Sequence, residues 1–366
     1  MFPPRPSLIA STPSNQTQAP IGIVEGSSGV FYAQASGVEI YSVTKAGVVS
    51  IAASFADPPY NVESAPGSVG ANGRLYSSIE TTENAGAGTV FSVTPRADSQ
   101  LLYSSSSYAP TFSGTLPSGN LFGSAYIFPT YSWALATSTL AGIVTPFYQF
   151  PSTDRPFLPI RGADGNFYGT AQIQEGTAYF YRVTPAGVLT KIATLPNVIT
   201  AYVGNGVVLQ GSDGNLYGMT EYNNLLFRLS KSGEYTALYR ASSSSQGICS
   251  CTLVQGSDGL LYGTALGGGA NGGYGAIFSF DAGLPVPHPN AIEFLPASGT
   301  VGSRVRIWGY NLLRPSVEFN GVPATGVQSA GPNYVWATVP AGATTGPITV
   351  TTPGGSSTTQ ETFTVQ

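Results

Sequence analysis

The sequence predicts an all-β chain: a six-bladed β-propeller closed by an N-terminal strand, followed by a small β-sandwich. Three observations predict it. An Asp-Gly turn with an aromatic partner recurs at a regular interval, a second strand-and-turn unit follows each copy, and the repeat stops at a proline-rich stretch beyond which shorter alternating strands take over.

The clearest copy of the turn is Gly211-Ser212-Asp213-Gly214-Asn215-Leu216-Tyr217-Gly218, and Gly162–Gly169 and Gly256–Gly263 repeat it. Weaker copies surround Gly29, Gly73 and Gly119. Their aromatics, Tyr32, Tyr76, Phe122, Tyr168, Tyr217 and Tyr262, are separated by steps of 44, 46, 46, 49 and 45 residues. That interval, with short strands and frequent turn residues, is the mark of four-stranded propeller blades. Asp-Gly and Asn-Gly supply the positive φ of a tight hairpin turn.

The second unit is a strand ending in a turn, with glycine in three of its four copies: Ile40–Gly47, Thr89–Pro95, Tyr179–Gly187 and Leu225–Gly233. Fourth strands are expected over 48–55, 101–105, 143–150, 188–195 and 235–239, and first strands over 207–210 and 252–255. The sixth copy runs through Phe278 to Gly283 without a fourth strand, while Ser7–Pro13 resembles the fourth strands elsewhere. Residues 6–12 are therefore expected to complete the last blade, which leaves no blade one strand short. Blade three, about 116–150, departs most from the repeat: its second-to-third-strand connection is Tyr126-Ile127-Phe128-Pro129-Thr130-Tyr131-Ser132-Trp133.

Only 9% of the 366 residues are charged, with a net charge of -4, and Gly (46) and Pro (28) are abundant. Ordinary soluble domains carry about a quarter charged residues. A surface rich in Ser, Thr, Asn and Gly fits an exported protein. The start of the chain lacks a signal-peptide apolar core, so the expectation is a secreted or cell-surface protein whose signal has been removed. No Lys/Arg-rich run offers a nucleic-acid footprint, and no apolar run approaches the ~18 residues of a membrane span.

Residues 284–290, Leu284-Pro285-Val286-Pro287-His288-Pro289-Asn290, read as a semi-rigid linker between a propeller domain (1–283) and a sandwich domain (291–366). Residues 291–366 resemble the IPT/TIG family of immunoglobulin-like domains. The resemblance is carried by Ile292–Gly299, Val301-Gly302-Ser303, Val305–Leu312, Val317–Ala324, Val339–Gly342, Gly346–Val350 and Pro353-Gly354-Gly355. It implies an Ig-like β-sandwich, in line with the alternating strands and Gly/Pro turns. Residues 21–283 resemble the GloVer tandem-repeat family through the Gly-Ser-Asp-Gly-Asn-Leu-Tyr-Gly and Phe-x-Val-Thr-Pro-x-Gly units, which implies a secreted bacterial repeat protein. Neither resemblance brings a catalytic site.

Asp164, Asp213 and Asp258 read as structural turn residues capping nearby backbone N–H groups, the role Asn72, Ser118 and Ser28 play in sibling repeats. His288 is the only histidine and has no triad or metal-ligand set nearby, so His-based catalysis, a metal site and a cofactor are not expected. Cys249 and Cys251 have the wrong spacing for a Cys-x-x-Cys motif; a local disulfide and two free thiols are equally open readings. The loop 267–273 is glycine-rich but lacks the Gly-Lys-Ser/Thr end of a phosphate loop. Glu80, Glu83, Glu175 and Glu221 lie in second-to-third-strand connections and are either solvated charges or converging acids. Tyr126, Phe128, Tyr131 and Trp133 are the candidate ligand-binding group: exposed loop aromatics suit sugar stacking or protein contact, against the alternative that they pack into a neighbouring blade.

The leading functional expectation is a non-catalytic extracellular binding or adhesion protein with a glycan or protein partner. The alternatives are a carboxylate-dependent polysaccharide lyase or glycoside hydrolase, and a structural matrix or filament subunit.

Overall fold

The computed structural model describes residues 6–11, 20–26, 29–35, 39–54, 68–69, 75–81, 87–93, 99–128, 130–162, 164–173, 177–195, 208–220, 225–240, 253–265 and 275–366. Among these residues every regular element is a strand and none is a helix. The strands up to Phe280 form six antiparallel sheets. Sheet 1 holds Pro20–Glu25, Phe31–Ala35, Glu39–Val43 and Val49–Ser54. Sheet 2 holds Ser68–Val69, Leu75–Thr81, Ala87–Val93 and Ser99–Ser105. Sheet 3 holds Tyr108–Thr115, Leu121–Ile127, Ser132–Ser138 and Val144–Gln149. Sheet 4 holds Phe167–Ile173, Ala178–Val183 and Leu189–Leu195, with a first strand split into Asp154–Pro156 and Ile160–Arg161. Sheet 5 holds Leu209–Gln210, Leu216–Thr220, Leu225–Leu229 and Tyr235–Arg240. Sheet 6 holds Leu253–Gln255, Leu261–Ala265 and Ala276–Phe280.

Two departures from the sequence reading stand out. Sheet 3 begins at Tyr108, eight residues earlier than the repeat motif suggests, because its first strand is long and carries its own alternating burial. Sheet 4 has two short first strands because Phe157–Pro159 interrupts the ladder.

The N-terminal strand Ser7–Ser11 pairs antiparallel with Ala276–Phe280, with Leu8 opposite Phe278, and so supplies the fourth strand of sheet 6. A repeated contact shows that it occupies a fourth strand's place. In the glycine turns before the fourth strands of sheets 3, 4 and 5, a Cβ would strike the outer strand of the preceding sheet: Gly142 meets Tyr103, Gly187 meets the Phe147 carbonyl and Gly233 meets Ala193. Gly47 of sheet 1 meets the carbonyl of Ile9 in the same way. Sheet 6 therefore precedes sheet 1 in space as sheet 3 precedes sheet 4.

Apolar side chains fill the gaps between successive sheets. Tyr76 and Val90 of sheet 2 pack on Phe112 and Leu121 of sheet 3. Phe122 and Phe147 of sheet 3 flank Phe167 of sheet 4, with ring centroids 5.3 and 4.8 Å apart. Phe180 and Phe227 share one core between sheets 4 and 5, and Leu226 and Phe280 share another between sheets 5 and 6. Phe31 of sheet 1 lies 4.2 Å from Tyr262 of sheet 6. The Tyr-Gly pair of the repeat follows from this packing. A Cβ on Gly218 would come within 2.6 Å of Phe227, and one on Gly263 within 2.5 Å of Phe278, so each glycine makes room for the aromatic paired opposite it.

The Asp-Gly turns are locally closed. The Asp213 carboxylate accepts hydrogen bonds from the Asn215 N–H (3.0 Å) and the Tyr217 hydroxyl (2.8 Å), and Asp164 and Asp258 do the same with Tyr168 and Tyr262. At Ser118 a hydroxyl accepts from the Asn120 N–H at 3.3 Å. Burial works to raise the carboxyl of Asp258. Hydrogen bonds from Lys45 and Tyr262, the Lys45 charge and the Leu260 N–H outweigh it and hold the group below its ordinary value. Asp164 is lowered likewise, burial being outweighed by Tyr168, Asn166 and the Lys231 charge. A carboxyl with a depressed folded pKa stabilises above its unfolded pKa and loses that contribution as pH falls through the folded one. The melting temperature should therefore drop on acidification below about pH 4, and thermal melts of Asp164→Asn with Asp258→Asn should show a shallower drop. An unaltered slope would remove these turns from the acid response.

Residues 290–365 form two sheets. One contains Asn290–Leu295, Arg304–Tyr310, Tyr334–Thr338 and Thr325–Ser329. The other contains Ser298–Gly299, Gly355–Val365, Gly346–Thr352, Ser316–Phe319 and Val322–Pro323. They enclose one core that includes Phe294, Ile307, Val335, Phe319, Ile348 and Phe363.

Candidate functional site

The six sheets present two ends. At one end lie the described turns between first and second strands, and the C-terminal sheets sit against this end. The Tyr334 hydroxyl donates to the Leu116 carbonyl at 2.9 Å, and Arg161 donates to the Tyr310 hydroxyl at 3.1 Å while its guanidinium lies 5.5 Å from the Trp308 ring centroid. Ser212 and Gln255 both donate to the Pro285 carbonyl, and Arg314 donates to Ser257. A cavity of about 510 Å³ lies between the two parts, lined by first-strand residues Val24, Ile160, Leu209 and Val254 and by His288 and Tyr310. Its polar groups are largely engaged in holding the parts together: Gln255 binds Ser212, Gly259 and Pro285, and Asn311 donates to the His288 carbonyl. His288 is exposed, with Nδ1 2.8 Å from the Pro289 carbonyl oxygen.

The other end carries the Ile127–Ser132 hairpin of sheet 3. It is separated from the Leu116–Asn120 turn by the length of the strand Leu121–Ile127, roughly 20 Å at ~3.3 Å per residue. Here the four aromatics come together. Tyr126 lies 5.0 Å from both Phe128 and Trp133, and Phe128 lies 6.2 Å from Tyr131. Trp133 is half-buried against the core shared by sheets 3 and 4, whereas Tyr131 is 66% exposed. Packing and presentation thus divide within the group: Trp133 anchors it and Tyr131 presents it.

Tyr131 holds a positive φ of 50°. A bulky L-residue there costs about 1 kcal/mol. The surroundings fix the tip: Thr130 and Ser132 hydroxyls are 2.8 Å apart, and Gln149 donates to the buried Ser132 at 2.8 Å. Tyr131→Gly removes the exposed ring, and relief of that strain should offset the greater unfolded-state freedom of glycine, leaving stability changed by less than about 1 kcal/mol. A chemical-denaturation midpoint that falls further would mean that the ring contributes more than the strain removes.

Sequence reasoning missed two neighbours. Arg155 of sheet 4 stands 5.9 Å from the Trp133 ring centroid, and nothing in the repeat places it there. Asp154 is buried and accepts from the Tyr179 hydroxyl at 2.7 Å and from Thr153 at 2.8 Å, with Lys191 at 3.9 Å. Burial, then the Asp154 hydrogen bond and charge, push the Tyr179 hydroxyl well above its ordinary value, which keeps it a neutral donor. Glu80 lies on the strand Leu75–Thr81, while Glu83, Glu175, Glu221, Cys249, Cys251 and the 267–273 loop lie outside the described residues. Among the described residues no group of three His, Cys, Asp or Glu is placed to hold a metal ion, and no helix is long and apolar enough to cross a membrane.

Radially neighbouring sheets with first strands around a central cavity define a β-propeller, and solved structures agree. The PQQ-bound aldose sugar dehydrogenase of Streptomyces coelicolor matches with a TM-score of 0.55 at 10% identity, covering 76% of this chain and 99% of that one. A luciferin-regenerating enzyme matches with a TM-score of 0.54 at 11% identity, covering 76% and 97%. A streptogramin B lyase matches with a TM-score of 0.50 at 12% identity, covering 75% and 97%. All are β-propeller-like enzymes, and at such identity the likeness establishes the fold alone. No family model matches the chain, and no curated protein matches it.

Proposed function

We propose that the chain is a six-bladed propeller over 1–283, joined through 284–290 to an Ig-like sandwich of IPT/TIG type over 291–366. We further propose that it is a secreted or cell-surface binding protein without catalytic activity. Its ligand, a surface glycan, engages the aromatic tip of sheet 3. The observation that carries this reading is Tyr131: an exposed aromatic in a strained backbone conformation, supported from behind by Phe128, Tyr126 and Trp133. Strain held by a hydrogen-bonded tip is a pointer to function. The sandwich covers the opposite end and leaves this one free of it.

Glycan-array binding should be lost on Tyr131→Ala with Trp133→Ala. Because Trp133 also packs between sheets, Tyr131→Ala alone serves as the folded control and should weaken binding at least about tenfold. Wild-type protein that binds no surface polymer would end the reading.

The second reading is a carboxylate-dependent lyase or glycoside hydrolase, favoured by the enzymatic character of the propellers that share the fold. Glu80, Glu83, Glu175 and Glu221 would be its acids. Release of reducing or unsaturated ends from a polysaccharide, abolished by Glu→Gln changes at these positions and not by Tyr131→Ala, would favour it over binding alone.

A further inference from the structure

We infer that the aromatic tip selects polymers of acidic sugars, with Arg155 supplying the contact to the uronate carboxylate; this rests on the glycan-binding reading above. Arg155 sits in the strand Asp154–Pro156 between two buried residues and is itself exposed. Strand alternation therefore turns it outward from the core of its own sheet. Its guanidinium reaches across to Trp133 of sheet 3, 5.9 Å from the ring centroid. That contact fixes the direction of the side chain without occupying its hydrogen-bond donors.

Among the described residues no carboxylate forms an ion pair with Arg155 and no acceptor receives a hydrogen bond from it, whereas Arg161, Arg182 and Arg228 each donate to a hydroxyl. The adjoining Asp154 does not neutralise it, since that buried carboxylate is committed to Tyr179 and Thr153 and faces Lys191. An exposed arginine whose planar fork has no hydrogen-bond or ion-pair partner among the described residues, beside an aromatic surface, has the chemistry to take a flat carboxylate bidentately while the rings cover the apolar face of the sugar. The rings continue from Trp133 through Tyr126 and Phe128 to Tyr131 at spacings of 5.0, 5.0 and 6.2 Å. Successive rings are tilted or edge to face, at 55°, 83° and 84°, so the cluster offers faces and edges to more than one sugar unit, hence a polymer.

The test compares polygalacturonate with its fully methyl-esterified form, which keeps the sugar and removes the charge, alongside an uncharged galactan. By calorimetry or affinity electrophoresis, wild-type protein should bind the acid form at least about tenfold more tightly than the ester. Added salt should narrow the difference. Arg155→Gln should abolish that preference by weakening the acid form to the level of the ester, Arg155→Lys should keep only part of it, and Tyr131→Ala should weaken both forms. Equal binding of acid and ester, or an Arg155→Gln protein that keeps the preference, overturns acid selection while leaving glycan binding intact. Binding of the galactan alone does the same. Failure to bind any of the three, together with an empty glycan array, overturns both. Melting temperatures of the variants matching wild type establish that the effects are local.

Discussion

Removal of residues 1–12 is expected to lower the melting temperature by about 10 °C. The strand Ser7–Ser11 contributes a full edge of backbone pairing to Ala276–Phe280 and buries Ala10 in the core shared by sheets 6 and 1. A few lost hydrogen bonds at about 1 kcal/mol each, with the apolar area of Ile9 and Ala10 at ~25 cal/mol per Å², sum to about 4–5 kcal/mol. In a chain of this size each kcal/mol moves the melt by roughly 2 °C. The damage extends beyond energy. Ala276–Phe280 is buried along its whole length and would become a bare apolar edge, a template for pairing with another copy. The shortened protein should therefore also associate at concentrations where the full chain does not, as read by light scattering. A synthetic peptide spanning residues 6–12 should recover part of the lost stability. A truncated protein that melts with the full chain would show that the strand is an ornament on an already closed ring.

How legible this closure was depends on which interactions carry it. The Asp-Gly-x-x-Tyr turn could be read directly, because its donor and acceptor stand four residues apart and each copy, at Asp164, Asp213 and Asp258, solves the same local problem. The N-terminal strand was legible by subtraction, since the last repeat lacked its outer strand. The early start of sheet 3 was not, because Tyr108–Thr115 carries no turn motif and only its pairing with Leu121–Ile127 reveals its membership. The site was legible in half. Tyr126, Phe128, Tyr131 and Trp133 announced themselves by interrupting the repeat, but which would anchor and which would present depended on the sheet beside them. Arg155 was invisible for the same reason: its partner is a ring on another sheet. The seating of residues 285–334 on the turn end was equally hidden, resting on single contacts such as Tyr334 to Leu116, 218 residues apart.

Lys45 was hidden too, and its replacement should have the second large effect. It occupies the glycine turn of sheet 1, where the repeat offers no hint of a role. Its ammonium lies 2.6 Å from Asp258 and 3.4 Å from Glu25, and 5.7 and 5.4 Å from the ring centroids of Phe31 and Tyr262. It thus ties sheet 1 to sheet 6 across the seam that the N-terminal strand also closes. Glu25 is only 4% exposed, and its carboxylate also accepts from the Ser257 N–H at 2.7 Å and hydroxyl at 2.8 Å. Deleting one partner of a buried pair costs about 3–5 kcal/mol. Lys45 and Asp258 each remain about a third exposed, and Ser257 still donates twice, so solvent screening reduces the expected loss for Lys45→Met to about 2–3 kcal/mol. The penalty should come chiefly from the stranded Glu25 charge. Adding Glu25→Gln to Lys45→Met should then recover part of the loss, giving a coupling that two independent defects would lack. A double variant less stable than Lys45→Met by the full cost of Glu25→Gln alone would place the energy elsewhere. The same change should reach the C-terminal sheets. Ser257 receives a hydrogen bond from Arg314 while donating to Glu25, so a shifted Glu25 disturbs the seat of the sandwich. Lys45→Met should accordingly speed proteolytic cleavage within residues 284–290, whereas Tyr131→Ala, at the far end of the sheets, should leave that rate unchanged.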